Sequence, residues 1–365
     1  MQKDTAQGIY VHFPFCRSRC AYCGFVSSAG AYAQREYAEA LCDEIRARVH
    51  GNADTVFIGG GTPSVAERGV LARIFAALRE NIVFSSACEI TSEANPDSCT
   101  DGFLEEVTAC GVNRISLGVQ SLNDSVLARA GRRHTAAQAL AAIERVQAHG
   151  IRNINCDLML GLPGQTEQDI AAAVDELCAR GITHMSVYAL GVEEGTPLYA
   201  DGYRPDEDVC ADMYDLAYER LRSNGFARYE VSNFCREGYR CRHNYKYWTL
   251  APYIGVGVAA HSFDGNCRSY NTSDIAAYIA GDRDARTQTL TPAERLEEYV
   301  MLGLRTCDGI SFARASELAG YDWQKSKARE LQRLTDLHCL QRTKHGVRLA
   351  EKAYYTMNEI IVRLL

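Results

Sequence analysis

Three cysteines near the amino terminus have a spacing that suits metal chemistry. Cys16, Cys20 and Cys23 form a C-x3-C-x2-C group directly after the apolar, β-prone residues 8–13. Three thiolates can hold three irons of a cubane cluster and leave the fourth iron open to an external ligand, since cubanes usually have four protein thiolates. The spacing therefore favours a [4Fe–4S] cluster with one open iron. The alternatives are zinc, which would want a fourth Cys or His, and redox disulfide chemistry, which the x3 spacing does not match.

A glycine-rich turn and a set of polar side chains follow the other predicted strands. Residues 59–63 are Gly-Gly-Gly-Thr-Pro, and Gly60, Gly61 and Thr62 offer a backbone that a ligand can approach closely. For each polar residue taken alone, a structural role is the simpler interpretation. Because parallel α/β folds gather ligands at the carboxyl ends of their strands, the joint position of these residues predicts a ligand site. The set comprises Tyr10, Tyr22, Glu93, Gln120, Arg132 and Asp157.

Strand-like and helix-like segments alternate along the first half of the chain. Apolar, β-branched runs predict six strands, at residues 8–13, 55–58, 88–93, 114–120, 153–159 and 184–190. Amphipathic segments predict helices at residues 35–49, 67–80, 136–149 and 167–179. Repeated βα units imply an α/β fold with parallel strands, wound into an open barrel or laid out as a doubly wound sheet.

The last quarter of the chain has a different pattern. A helix is predicted from Thr291 to Thr306, followed by helices at residues 312–319 and 326–336, an alternating run at 340–349 and a final helix. This order is typical of a small winged-helix domain. We therefore predict three parts: a core barrel over residues 1–195, a Tyr-rich and Gly-rich region over 196–290 that closes one side of it, and a winged-helix-like domain over 291–365.

Composition excludes several classes of protein. The 365 residues are 47% hydrophobic and 23% charged, which is ordinary globular material. The net charge of −7 argues against a protein whose main task is to grip nucleic acid. No apolar stretch is long enough to span a membrane, and residues 1–13 lack the features of a signal peptide. Fifteen scattered cysteines favour reduced thiols, so we expect a cytoplasmic protein.

The cysteine group and its surroundings resemble the radical SAM superfamily, and within it the HemN/HemW group. The matching phrases occur in order at residues 10–16, 92–96, 115–121 and 157–166. The resemblance implies a partial (β/α)6 TIM-like barrel, with a [4Fe–4S] cluster on Cys16, Cys20 and Cys23. It also implies that S-adenosylmethionine is the external ligand, contacted by the glycine-rich turn and the polar set, and cleaved to a radical after one-electron reduction.

Two features distinguish branches of this group. The coproporphyrinogen III dehydrogenases have a fourth cysteine two residues after the third, whereas this chain has Phe25. Residues 242–248 are Arg-His-Asn-Tyr-Lys-Tyr-Trp and match the HNxxYW signature of the group's haem chaperones. The resemblance implies that His243 ligates or anchors haem, as an imidazole can. The alternative is that His243 and Trp248 only pack and hydrogen-bond within a loop-rich lid.

The favoured hypothesis is a haem chaperone that passes haem to an unidentified acceptor protein. Oxygen-independent coproporphyrinogen III dehydrogenase activity is the alternative, and an iron–sulfur electron carrier is a remote third. A flavodoxin or ferredoxin is the expected electron donor. A homodimer and a peripheral membrane contact both stay open, and the tail is expected to be an interaction or lid module rather than a binder of nucleic acid.

Overall fold

A computed structural model describes residues 6–29, 33–283 and 285–365 of the chain. The first five residues, on which the signal-peptide prediction partly rests, lie outside this part. The described strands are β1 (Gln7–Phe13), β2 (Phe15–Cys16), β3 (Ser28–Ala29), β4 (Gly51–Gly60), β5 (Ile82–Ala94), β6 (Arg114–Gln120), β7 (Asn153–Leu160), β8 (His184–Ala189), β9 (Ala227–Arg228), β10 (Asn233–Cys235), β11 (Tyr253–Val256), β12 (His261–Phe263), β13 (Cys267–Tyr270), β14 (Arg286–Thr289), β15 (Ile310–Ser311), β16 (Leu340–Arg342) and β17 (Gly346–Leu349).

The α-helices alternate with the strands in the first half of the chain and dominate its end. They are α1 (Gln34–Arg48), α2 (Val70–Asn81), α3 (Asp101–Ala109), α4 (Asp124–Arg129), α5 (Ala136–Ala148), α6 (Glu167–Ala179), α7 (Pro197–Ala200), α8 (Glu207–Ser223), α9 (Arg242–Trp248), α10 (Ile275–Ile279), α11 (Pro292–Gly303), α12 (Phe312–Ala319), α13 (Trp323–Ser326), α14 (Ala328–Asp336) and α15 (Met357–Leu364). No helix among the described residues combines the length and the apolar character that a membrane crossing requires.

The main sheet has the order β14-β13-β12-β11-β1-β4-β5-β6-β7-β8-β10-β9. The six predicted parallel strands are present as β1, β4, β5, β6, β7 and β8, and the partial barrel of the radical SAM fold is confirmed. β11 is a seventh parallel strand, paired with β1 on its other side, for example Ile9 with Ile254. The sequence predicts further strands and loops in this region, but neither the bounds nor the parallel pairing of β11, because four residues in a glycine-rich stretch give too short a pattern.

Alternate strand residues separate the core from the interior of the barrel. Ile9, Val11 and Phe13 of β1 are fully buried in the same apolar cluster as Tyr37 and Leu41 of α1. Burial of each large apolar side chain stabilises the fold by about 1.5–3 kcal/mol. The other face of the strands carries polar side chains and lines a cavity.

Helix ends follow local signals in the sequence. α6 has the predicted bounds, because Thr166 and Asp169 form a capping box at its start. α2 begins at Val70 rather than at residue 67, since Gly69 precedes it in a left-handed conformation with φ of 87°.

The carboxyl-terminal part has its own apolar core. Trp323 is 1% exposed and packs with Val300, Leu331 and Val347, beside a three-stranded sheet of order β15-β17-β16. The helices and the β16–β17 hairpin agree with the winged-helix-like pattern, although a short α13 precedes α14. The domain boundaries at 195 and 290 stay a prediction.

Candidate functional site

The three cysteines lie around one end of the barrel cavity, which has a volume of about 480 Å³. Cys16 ends β2, and Cys20 and Cys23 follow in a turn closed by a 3.2 Å hydrogen bond from the Cys23 amide to the Cys20 carbonyl. All three are partly exposed and free of disulfides. Within the described ranges, no three His, Cys, Asp or Glu side chains converge to hold a single metal ion. A cubane, by contrast, distributes its thiolate ligands over several irons.

The glycine-rich turn holds the cysteine loop in place. The Gly61 amide donates to the Phe13 carbonyl and the Thr62 amide to the Phe15 carbonyl, both at 2.8 Å. A Cβ on Gly61 would lie 2.7 Å from the Phe13 carbonyl oxygen, and one on Gly60 would lie 2.4 Å from the ring of His12. The glycines are therefore required by the protein's own packing. The sequence suggests a different reason for these glycines, namely that they let a ligand approach the backbone closely.

Thr62 connects the turn to the first cysteine. Its hydroxyl oxygen lies 3.3 Å from Cys16 Sγ and accepts a 3.1 Å hydrogen bond from Asn95 Nδ2. Burial raises the pKa of the Cys16 thiol and also that of Cys23.

Arg132 anchors the cysteine loop from the opposite wall. Its guanidinium donates to Asn95 Oδ1 at 2.7 Å, to the Gly118 carbonyl at 2.6 Å and to Cys20 Sγ at 3.2 Å. Arg132 and Tyr22 both line the cavity. One guanidinium thus holds the end of β6, the segment after β5 and the cysteine loop in a fixed arrangement.

Two acidic side chains, Glu93 and Asp157, line the same cavity. Burial, followed by repulsion from Asp157, raises the pKa of Glu93 to about 8, although the Gly60 amide donates to its carboxylate. Burial also raises the pKa of Asp157, and the amide of Asn155 opposes that shift through a 2.8 Å hydrogen bond. Glu93 is therefore mostly protonated at pH 7, and the interior carries less negative charge than its composition suggests.

Gln120 is strained and incompletely paired. Its φ of 66° is unusual for a residue other than glycine. Its Oε1 atom is buried and, among the described residues, has no hydrogen-bond partner, although the side chain lines the cavity. Strain and an unpaired acceptor in one residue are features of a binding site.

Tyr10 does not lie in the ligand site where the sequence predicts it. It does not belong to the lining of the cavity among the described residues. Its hydroxyl lies 3.0 Å from His12 Nδ1, and its ring lies 6.5 Å from the ring of His243. Its ring lies beside the rings of His12, Phe57 and His243.

His243 lies in the core rather than in a loop-rich lid. Its ring is 0% exposed and stacks on Phe57 at 5.4 Å. Nδ1 lies 2.9 Å from the Thr55 hydroxyl and Nε2 lies 2.8 Å from the Tyr247 hydroxyl. Burial lowers the pKa of His243 to about 3, so the imidazole is neutral. In this conformation both nitrogens are occupied, and binding to a haem iron requires one of these hydrogen bonds to break.

The structure also reveals cavity residues that the sequence analysis missed. They lie at inward-facing positions of β6, β7 and β8, and comprise Arg114, Ser116, Asn155, Met159, Ser186 and Tyr188. The alternation that placed Gln120 and Asp157 at the site could have identified the four on β6 and β7, but no predicted site residue marked the inward face of β8.

Comparisons with known proteins agree with this geometry. Residues 10–177 match the model of the radical SAM superfamily, and residues 290–355 match that of the HemN C-terminal domain. The heme chaperone HemW of Mycobacterium tuberculosis strain H37Rv is 35% identical over 353 residues, covering 91% of this chain and 89% of that protein. The heme chaperone HemW of Lactococcus lactis is 31% identical and covers 98% and 96%.

A solved structure supports the fold. The coproporphyrinogen III oxidase HemN of Escherichia coli has a TM-score of 0.85, is 21% identical, and covers 98% of this chain and 90% of that one. At that identity the likeness concerns the fold alone. The sequence relatives are close enough and long enough to establish membership: this chain belongs to the radical SAM superfamily and, within it, to the HemW family.

Proposed function

We propose that this protein binds haem and transfers it to an acceptor protein. The observation that carries the proposal is the kinship with proteins named heme chaperones, at 35% identity over most of both chains. Two aromatic side chains at the cavity add support: Phe25 is 70% exposed and Tyr188 is 36% exposed, and both line the opening. Exposed aromatic faces suit a flat, conjugated ligand.

We also propose that Cys16, Cys20 and Cys23 hold a [4Fe–4S] cluster and that S-adenosylmethionine occupies the adjacent cavity. The residues present fit these groups, because three free thiols border the cavity and Gln120 has an unpaired acceptor there. When bound, the cluster supplies the electron that cleaves S-adenosylmethionine.

The chain's own residues have separate tasks in this arrangement. Arg132 fixes the cysteine loop, and the glycine-rich turn holds that loop against β4. Gln120 Oε1 offers an acceptor to a hydroxyl or ammonium group of the ligand. Glu93, protonated at pH 7, offers a hydrogen-bond donor and can take up a cationic group when it loses its proton.

The proposal includes His243 as a haem ligand only after a local change. The Tyr247 hydroxyl must release Nε2, or the Thr55 hydroxyl must release Nδ1. The neutral imidazole that burial maintains is the form that ligates a metal. We further propose a cytoplasmic location and a flavodoxin or ferredoxin as electron donor.

Haem titration of the anaerobically reconstituted protein tests the proposal. The Soret band should report stoichiometric binding, and haem should pass to a haem-free acceptor such as apomyoglobin. Coproporphyrinogen III should be left unchanged by the same sample in the presence of S-adenosylmethionine and reductant. Absence of haem binding, together with decarboxylation of coproporphyrinogen III, would replace this function by that of the dehydrogenase.

A further inference from the structure

The deepest charged group of the cavity is a guanidinium that the proposed function has not used. Arg114 is 1% exposed and begins β6, whose inward-facing residues Arg114, Ser116, Gly118 and Gln120 all line the cavity. A strand rises about 3.3 Å per residue, so the Cα atoms of Arg114 and Gln120 are about 20 Å apart. Arg114 therefore enters the cavity from the end of the strand opposite the cysteine loop.

Two of the three nitrogens of this guanidinium are buried without hydrogen-bond partners among the described residues. In the part of the chain that the structure describes, neither Nε nor Nη1 of Arg114 has a partner, although both are buried. Polar groups buried in this way are costly, and a charged one more so. Two unpaired donors on one charged, planar group can each donate a hydrogen bond to an oxygen of an anionic ligand.

The two acidic residues whose charges act on Arg114 make their hydrogen bonds to other groups. Glu89 accepts from the backbone amides of Arg242 and His243, at 3.1 and 3.0 Å, and thereby holds the start of α9. Asp157 Oδ1 accepts from Asn155. Burial acts to lower the pKa of Arg114, but neighbouring groups that include Glu89 and Asp157 outweigh it, so the side chain stays charged.

Another guanidinium of the cavity, that of Arg132, has more hydrogen bonds to protein. Both terminal nitrogens of Arg132 donate hydrogen bonds, to Cys20, Asn95 and the Gly118 carbonyl. Among the described residues, Arg132 keeps one unpaired nitrogen, Nε, whereas Arg114 has two, Nε and Nη1. The chemistry of the cavity floor thus fits an anionic group that reaches it from the opening.

We propose that Arg114 binds a carboxylate on the acidic side chain of a porphyrin ligand that enters the cavity. The inference rests on the proposed haem-binding function and identifies a residue that selects the ligand by its propionate group. S-adenosylmethionine also carries a carboxylate, but the cysteine loop that would hold its amino-acid end lies at the opposite end of β6.

The test compares haem with haem dimethyl ester, which lacks the negative charges. Wild-type protein should bind haem about 10- to 100-fold more tightly, the effect expected for hydrogen bonds to a charged group. Arg114→Lys should lower haem affinity by a similar factor and leave affinity for the diester unchanged. Arg73→Gln, which removes an exposed arginine paired with Glu39, serves as the control and should change neither affinity.

Other results would separate this inference from the function on which it rests. Equal loss of both ligands in Arg114→Lys, or loss of S-adenosylmethionine affinity instead, overturns the role in binding a propionate. If the variant does not fold, the wild-type comparison decides, because a diester that binds as tightly as haem overturns the inference. If wild-type protein binds no haem at all, the proposed function itself fails.

Discussion

Replacement of His243 by alanine should destabilise the protein strongly, whatever its role in haem binding. The ring is fully buried, stacks on Phe57 and makes two hydrogen bonds. Removal of a buried aromatic ring costs about 3–5 kcal/mol. The Thr55 hydroxyl, which is also fully buried, would lose a partner at the same time. Folded domains are stable by only about 5–15 kcal/mol, so the variant should lose a large part of its stability.

Urea unfolding of the haem-free protein, followed by circular dichroism under reducing conditions, measures this loss. Tyr247→Phe is the matched variant, because it removes only the hydrogen bond to Nε2 and should cost about 1 kcal/mol. A loss below about 1 kcal/mol in His243→Ala would refute the argument that the ring is part of the core.

The same pair separates haem ligation from packing. If His243 ligates haem through Nε2, freeing that nitrogen in Tyr247→Phe should increase haem affinity about fivefold, since about 1 kcal/mol need no longer be spent on the hydrogen bond. If the affinity of Tyr247→Phe equals that of wild type, Nε2 is not the ligand. A haem titration of His243→Ala alone cannot separate these roles, because loss of binding would also follow from loss of the fold.

Three further predictions concern the rim of the cavity. Gly60→Ala should lower the free energy of unfolding by about 2 kcal/mol or more, because its Cβ would meet His12 and its φ is 104°. Gly69→Ala should lower it by about 1 kcal/mol, because this residue has a positive φ but open space around it. Urea unfolding of both variants measures the difference. The raised pKa of Glu93 means that its protonated form stabilises the fold fully below about pH 4.5, and that this contribution is lost as the pH rises towards 8. Stability measured at pH 5, 6.5 and 8 should therefore fall by up to about 1.4 kcal/mol per pH unit more in wild type than in Glu93→Gln, and equal slopes would contradict the raised pKa. Cys16→Ser should abolish the iron and sulfide content after anaerobic reconstitution, while Cys267→Ser, a partly exposed cysteine outside the cavity lining among the described residues, should keep it.

The sequence predicted the repeating part of the fold well, because periodicity reflects burial. The six parallel strands and α6 follow from alternating or helical apolar patterns with clear end signals. β11 and the start of α2 do not, since the first is too short for periodicity and the second depends on the backbone conformation of Gly69. Local signals of this kind become visible only when the neighbouring strand or helix is in place.

At the site, too, the sequence predicts which way side chains point better than it predicts what surrounds them. The motif at residues 242–248 marks His243, but it does not say that Glu89 would hold the start of α9 and turn the imidazole into the core. Strand alternation, in contrast, does specify direction: Arg114, Ser116, Gly118 and Gln120 must share one face of β6. Once Gln120 was assigned to the ligand site, that rule already placed a guanidinium on the same interior face. A charged residue at an inward position of a barrel strand requires a partner, and within the described structure no protein group accepts a hydrogen bond from Nε or Nη1 of Arg114.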